Sequence, residues 1–210
     1  MKSCEYFDKI VELLSPHFPL PKIPLLNPPA SEDEIQLLES HISKKLPDDF
    51  RAVYLMHNGE TDGNSECYPG LMCAYSFMNL KKIATEYAFW IETLKLDKLY
   101  FSDLGLDEFV SYPDGAIKTV RFDKGWVPFS SDGGGNFLAI DLCPDKRGAI
   151  GQVINFGRDD ENLYQISRDF THFLRLTLEN YKNRKLHYLF SLDGDSIDLI
   201  PYLSKKFGTR

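Results

Sequence analysis

Four short apolar segments lie between residues 116 and 157, and they constrain the fold more than any other feature of the chain. They span 117–122, 126–129, 137–142 and 150–156, and turns that contain glycine separate them. Each has the length and the aromatic or β-branched content of a strand. The connections are too short for the crossover that parallel neighbours require, so the pattern predicts an antiparallel sheet.

Helical periodicity precedes and follows these strands. Apolar residues recur at helical spacing in 6–14, 35–42, 46–57, 80–94 and 170–181, and 199–207 is compatible with a last short helix interrupted at Pro201. Ser31 and Glu34 have the spacing of a capping box, Asn79 and Ser167 are predicted caps, and a strand-like piece lies near 71–77. Helices, then adjacent strands, then a helix predict one α+β domain with a largely antiparallel sheet flanked by helices.

The ends of the chain differ in composition from its middle. Six of the twelve prolines fall in 16–29, which is typical of a stiff connector. Residues 182–210 carry six basic and three acidic residues, although the whole chain has a net charge of −7. We therefore expect an N-terminal helix and connector in 1–27, a domain in 28–181, and a basic extension in 182–210 packed on or beside that domain.

No catalytic motif or membrane signal was found in the sequence. Gly133, Gly134 and Gly135 enter a strand rather than a helix, and both common phosphate-loop patterns are absent, so a tight turn is favoured over a nucleotide site. Neither His57 nor His172 is tied by a motif to Cys143 or Ser130. Without an 18-residue apolar run or a signal peptide, we expect a cytoplasmic, non-enzymatic protein with no cofactor, metal or membrane partner.

Two acidic segments are the candidate contact residues. Asp132 lies in the glycine turn, and Asp159, Asp160 and Glu161 form a second cluster before the last helix. A surface of this charge attracts a basic partner and repels nucleic acid phosphates. The second cluster is equally compatible with a solvated turn that contacts nothing.

Three segments resemble the SUKH superfamily, which includes Smi/Knr regulators of fungal cell-wall synthesis and bacterial toxin-immunity proteins. They are L-P-D-D-F through H-N-G in 46–59, W-V-P-F through D-G-G-G-N to D-L-C-P in 126–144, and G-A-I-G-Q-V-I in 148–154 with the following helix. The resemblance covers about 28–181. It implies that the motif residues serve the fold: Pro47, Asn58, Gly59, Trp126, Pro128, Gly133, Gly134, Gly135, Asn136 and Asp141.

The resemblance implies binding of other proteins, and it leaves three functions open. The first is an immunity protein that neutralises a bacterial toxin, such as a basic nuclease domain, through electrostatic steering. The second is a regulatory scaffold for a cellular enzyme, as in the fungal members. The third is an uncharacterised hydrolase or ligand-binding domain, which loss of activity on changing Asp132, Cys143 or His172 would reveal.

Overall fold

The computed structural model describes residues 1–15, 25–61, 70–100, 109–183 and 199–209, with the backbone alone for 97–100. Its elements in chain order are α1 Ser3–Leu14, α2 Glu32–Ile42, α3 Asp48–Tyr54, β1 Ser76–Phe77, α4 Leu80–Tyr100, β2 Val110–Tyr112, β3 Trp126–Ser131, β4 Asn136–Asp141, β5 Gln152–Gly157, β6 Asn162–Ser167, α5 Phe170–Lys182 and α6 Leu199–Phe207. This order confirms the predicted α+β class.

The six strands form one sheet in the order β1-β3-β4-β5-β6-β2. All neighbours are antiparallel except β2, which pairs parallel to β6 at one edge. A bulge between Pro128 and Ser130 interrupts the β3–β4 register. Pro128 lies beyond the two residues that pair with β1, so its missing amide removes no hydrogen bond on that side.

Helices cover both faces of the sheet. Trp90 of α4 contacts Phe137 and Phe156 on one face, with ring centroids 6.2 and 5.3 Å away. On the other face Phe129 packs against Phe170 of α5 at 5.3 Å. Burial on both faces explains why β3, β4 and β5 consist of nearly continuous buried residues rather than an alternating pattern.

The two terminal helices pack into this same core. Phe7 and Ile10 of α1 have no exposed surface, and the Phe7 ring lies 5.3 Å from that of Phe77. At the other end Leu199 and Leu203 of α6 are buried. The helix continues through Pro201, contrary to the predicted interruption, because a proline in the first turn removes no intrahelical hydrogen bond.

Of the three helix caps predicted from the sequence, two are confirmed by the structure and one is wrong. Ser31 and Glu34 form the predicted capping box at α2, and Asn79 Oδ1 accepts from the amide of Lys82 at α4. The predicted cap Ser167 is wrong, because it ends β6. The carboxylate of Asp169 caps α5 instead, accepting from the amide of His172.

The strand predictions need two corrections. Residues 117–122 form bends and irregular backbone rather than a strand, and the Phe122 ring stacks on the Trp90 ring with centroids 5.7 Å apart. The acidic segment 159–161 precedes β6, a strand that the sequence analysis missed together with β2. Both missed strands carry polar residues beside their apolar ones, so they lack the run that marked the others.

Candidate functional site

The glycine turn joins β3 to β4 and is closed by the carboxylate of Asp132. Its Oδ1 accepts hydrogen bonds from the amides of Gly134 at 2.6 Å and Asn136 at 3.0 Å, and its Oδ2 accepts from Asn136 Nδ2 at 2.8 Å. Gly133 and Gly135 have φ of 77° and 104°, a region that side chains disfavour. These amides therefore point at Asp132 within the turn, which supports the tight-turn interpretation over a phosphate site.

A second turn, between β5 and β6, is hydrogen-bonded to the first. Asn136 Nδ2 lies 3.3 Å from Asp159 Oδ2, and the amide of Asp159 donates to Asn136 Oδ1 at 3.0 Å. Arg158 donates to both Asp159 oxygens, and these bonds, with that from Asn136, lower the pKa of the Asp159 carboxyl. The structure thus brings Asp132 and Asp159 together at one end of the sheet.

The two remaining predicted contact residues differ sharply in exposure. Glu161 is exposed, whereas Asp160 retains only 8% of its surface and its Oδ2 has no hydrogen-bond partner among the described residues. Burial raises the pKa of Asp160 to about 6, and the nearby charges of Asp132 and Asp159 add to the effect. The exposed acidic face therefore consists of Asp132, Asp159 and Glu161, with Asp160 beneath it.

The other end of the β3–β4 pair contains the buried motif residues Trp126 and Asp141. Trp126 has no exposed surface and its ring lies 5.5 Å from that of Phe156. Asp141 is also fully buried and accepts from the amide of Cys143 at 2.9 Å and from Gln152 Nε2 at 2.8 Å. Burial raises the pKa of Asp141 to about 6. These contacts suit a structural role inside the sheet.

The candidate nucleophiles are engaged in the fold. Ser130 is fully buried and its hydroxyl donates to the carbonyl of Ser76 at 2.9 Å. The Cys143 thiol lies 3.0 Å from Lys118 Nζ, and the His57 ring stacks on Phe7 at 6.0 Å. Within the described ranges, neither Ser130 nor Cys143 is hydrogen-bonded to a histidine. Across the described residues, no group of three or more His, Cys, Asp or Glu side chains is arranged to hold a metal ion.

The remaining motif residues lie around the junction of α3 and α4. Gly59 has φ of 74°, and a Cβ there would approach the amide nitrogen of Asn79 to 2.4 Å. Asn58 Oδ1 accepts a hydrogen bond from the backbone amide of Leu80 at 2.9 Å, and the backbone amide of Asn58 donates to the carbonyl of Pro28 at 3.0 Å. Asn58 therefore holds the start of α4 next to the 27–29 segment.

One carboxylate of the L-P-D-D-F segment has a role that sequence reasoning missed. Asp49 Oδ2 accepts from the amide of Thr171 at 2.8 Å and from its hydroxyl at 2.9 Å. Asp49 belongs to α3 and Thr171 to the first turn of α5, so this carboxylate joins two distant helices. Only contacts across the fold assign this role, because 122 residues separate the pair.

Asn58 also borders a groove of about 680 Å³ between α2, α4 and the 27–29 segment. Its apolar lining comprises Pro28, Pro29, Leu37, Leu38, Leu80 and Ala84. Leu37 is 72% exposed although Leu38 beside it is buried. The apolar periodicity in 35–42 predicted the helix but not this site. The available signal was the adjacent Leu37–Leu38 pair, because two neighbouring residues cannot both face inward on a helix.

The sequence comparisons agree with these motif positions. Residues 29–176 match the SMI1 / KNR4 family (SUKH-1). The chain belongs to this family. The match confirms the predicted superfamily, and it excludes α1 and α6 even though both helices pack into the core.

The curated SMI1/KNR4 relatives come from fungi and are much longer. The "Cell wall biosynthesis/cell cycle regulator smi1" of Schizosaccharomyces pombe is 30% identical over 81% of this chain and 34% of its own length. The "Cell wall assembly regulator SMI1" of Saccharomyces cerevisiae is 23% identical over 71% of the chain and 34% of its length. A "Glucan synthesis regulatory protein" of Neurospora crassa is 41% identical over 33% of the chain and 13% of its length. The chain thus spans about a third or less of these relatives.

The names of these relatives describe regulators rather than enzymes. The names contain no reference to toxins or immunity. Of the three functions that the sequence left open, the regulatory one therefore agrees best with the comparisons. Among the helices in the described ranges, none combines the length and apolarity needed to cross a bilayer.

Proposed function

We propose that this chain is a regulatory domain that binds a cellular protein concerned with cell-wall synthesis and does not itself catalyse a reaction. The family and the names of the fungal relatives support the regulatory role. The observation that carries the binding role is the groove between α2 and α4, where Leu37 exposes 72% of its surface beside five other apolar residues. Concave apolar surfaces of this kind are typical of protein interaction sites.

A second candidate function is toxin immunity, and the exposed acidic face favours it. Asp132, Asp159 and Glu161 lie on adjoining turns, and the net charge of −7 would steer a basic toxin domain toward them. Part of this face is already used internally, because Arg158 neutralises Asp159. The names of the relatives favour the first proposal over this one.

A domain exchange in fission yeast tests the regulatory function. The matching third of its smi1 protein is replaced by this chain, and growth under cell-wall stress and wall glucan content are measured. We expect the chimera to restore both. A chain carrying Gly59→Val is the matched negative control, because the added side chain collides with the backbone of Met78 and Asn79, immediately before α4.

Two outcomes separate the proposals. If the chimera accumulates normally and restores neither growth nor glucan, the regulatory function is wrong. For immunity, association with a basic nuclease domain slows as salt rises and slows further with Glu161→Lys, but not with Asp145→Lys on another turn. Association that salt does not affect contradicts the immunity function.

A further inference from the structure

The groove continues along α2 and α4 as one surface. A second depression of about 590 Å³ adjoins the first, and His41 lines both. Leu80, Ala84 and Ile91 recur at helical spacing on α4 and line the two depressions in turn. From Leu80 to Ile91 the surface extends roughly 16 Å at the rise of an α-helix. We refer to this continuous surface as the α2–α4 groove.

The two helices that form the groove run in the same direction. Glu34 and Leu38 face the start of α4, whereas Ile42 and Lys44 face its middle, near Tyr87 and Ile91. The His41 ring of α2 contacts the Tyr87 ring of α4 edge-on, with centroids 6.0 Å apart, so these two side chains join the helices across the groove. A pair of helices in contact along one side leaves a furrow into which a third helix of ordinary diameter packs ridge into groove.

The acidic side chains in the lining are already bonded within the chain. Glu34 accepts from the amide of Ser31 at 2.7 Å and from its hydroxyl at 3.0 Å. Glu92 pairs with Lys95 at 2.5 Å. The charge of Glu92 is therefore compensated by Lys95, whereas Glu34, bonded only to neutral groups of Ser31, keeps its negative charge.

The basic side chains in the lining are not bonded in this way. Lys44, Lys81 and Lys124 make no ion pair or side-chain hydrogen bond within the described part of the chain. His41 is exposed between them. The groove therefore has an apolar floor. Uncompensated positive charge lies at its second depression, on Lys44 and Lys124, whereas Lys81 shares the first depression with the negative charge of Glu34.

We propose that the α2–α4 groove binds an amphipathic helix of a partner protein, with leucine-like residues on one face and acidic residues beside them. This rests on the protein-binding function proposed above. The apolar face covers Leu37, Leu38 and Ala84, and the acidic residues pair with Lys44 and Lys124. Anchors at i, i+3 or i+4, and i+7 match the spacing of such helix-in-groove complexes. A partner that uses this groove is acidic, whereas one that uses the Asp132 face is basic.

The proposal is tested by fluorescence anisotropy with a labelled helical peptide of about 14 residues, leucine on one face and glutamate elsewhere. The full chain is titrated with this probe and with the same peptide carrying lysine for glutamate. We expect saturable binding of the acidic probe alone, weakening as salt rises.

Matched variants locate the binding on the protein. Leu37→Ser should weaken binding of the acidic probe by about tenfold to a hundredfold, because burying a leucine side chain in a complex contributes affinity of this order. Ile150→Ser, at a side chain 77% exposed elsewhere, should leave it unchanged. Lys44→Glu with Lys124→Glu should weaken binding about threefold to tenfold and flatten the salt dependence, unlike Lys146→Glu.

Three results would overturn the proposal. The first is equal binding of both peptides, and the second is equal loss with Leu37→Ser and Ile150→Ser. The third is a dimer in light scattering that Leu37→Ser dissociates, because a second copy of the chain then occupies the groove. The yeast chimera distinguishes failure of this proposal from failure of the proposed function. If a chimera that carries Leu37→Ser still restores growth, the regulatory function is supported and the groove is not its binding site. If the unchanged chain does not restore growth, the regulatory function itself is wrong.

Discussion

Replacing Asp160 with asparagine should change how the stability of the domain depends on pH. Asp160 is buried, and one of its carboxylate oxygens has no hydrogen-bond partner in the part of the chain that the structure describes. Burial and the charges of Asp132 and Asp159 raise its pKa from 3.8 to about 6. Between those two values the folded protein retains a proton that the unfolded chain has released.

The sign and size of the effect follow from this difference. The folded state binds more protons, so the contribution of Asp160 to the free energy of unfolding is highest at low pH and is lost as the pH rises through about 6. At about 1.4 kcal/mol per pKa unit, the ionisation of Asp160 removes about 3 kcal/mol of stability in all. Asparagine cannot ionise, so Asp160→Asn should gain about 2.5 kcal/mol relative to the unchanged protein between pH 4 and 7.5, since part of the loss has already occurred at pH 4.

Urea unfolding at a series of pH values measures this difference directly. Using the difference between the two proteins cancels the contribution of Asp141, whose pKa is also raised to about 6 and which both contain. Any constant cost of the buried amide shifts this difference equally at every pH and leaves its change with pH unaffected. Asp159→Asn serves as a control of opposite sign, because the Asp159 pKa is lowered. A stability difference for Asp160→Asn that stays constant from pH 4 to 7.5 would refute the reasoning.

Three further substitutions test the frame of the domain by thermal or urea unfolding. Gly59→Ala should lower the free energy of unfolding by more than about 2 kcal/mol, because the added Cβ meets the backbone of Asn79. Gly133→Ala should lower it by only about 1 kcal/mol, because Gly133 has φ of 77° but no described atom within 4 Å of the added Cβ. An equal cost at both glycines would contradict the steric argument. Asp49→Ala should cost about 1–2 kcal/mol by releasing the first turn of α5, and full stability would dismiss that contact. Ser31→Ala should lower the free energy of unfolding by about 1 kcal/mol through loss of the capping box, whereas Ser31→Asn should keep the stability of the unchanged protein.

The central strands were predictable because their signal is local. β3, β4 and β5 are buried on both faces and therefore read as continuous apolar runs. The capping box at Ser31 and the turn at Asp132 are also closed by residues within four positions in the sequence. The family motifs added the order of these elements.

The failures have a common physical origin in contacts between distant residues. Residues 117–122 resemble a strand in sequence because apolar side chains such as Phe122 pack against Trp90. No local feature distinguishes an apolar segment that packs on a helix from one that pairs with a neighbouring strand. β6 pairs with β2 across about 50 residues, so neither strand has a hairpin partner on that side. Such pairings are decided by the assembled sheet rather than by the segment.

The candidate site shows the same division. Asp132 and Asp159 were chosen by charge alone, and the structure does bring them together through Asn136. Charge could not show that Asp160 is buried beneath them. The α2–α4 groove was not predicted, because its lining comes from three separate segments and its one local sign was the position of Leu37.

The packing of α1 bears on where the domain can be divided for expression. The family match begins at residue 29, yet Phe7 and Ile10 are fully covered by the core, where Phe7 lies between Phe77 and His57. A recombinant fragment cut at the family boundary would open a hydrophobic slot on α5 and α3, with about 1.5–3 kcal/mol lost for each missing side chain. Such a fragment would be prone to self-association, and binding measured with it would report the uncovered slot as well as the native surface.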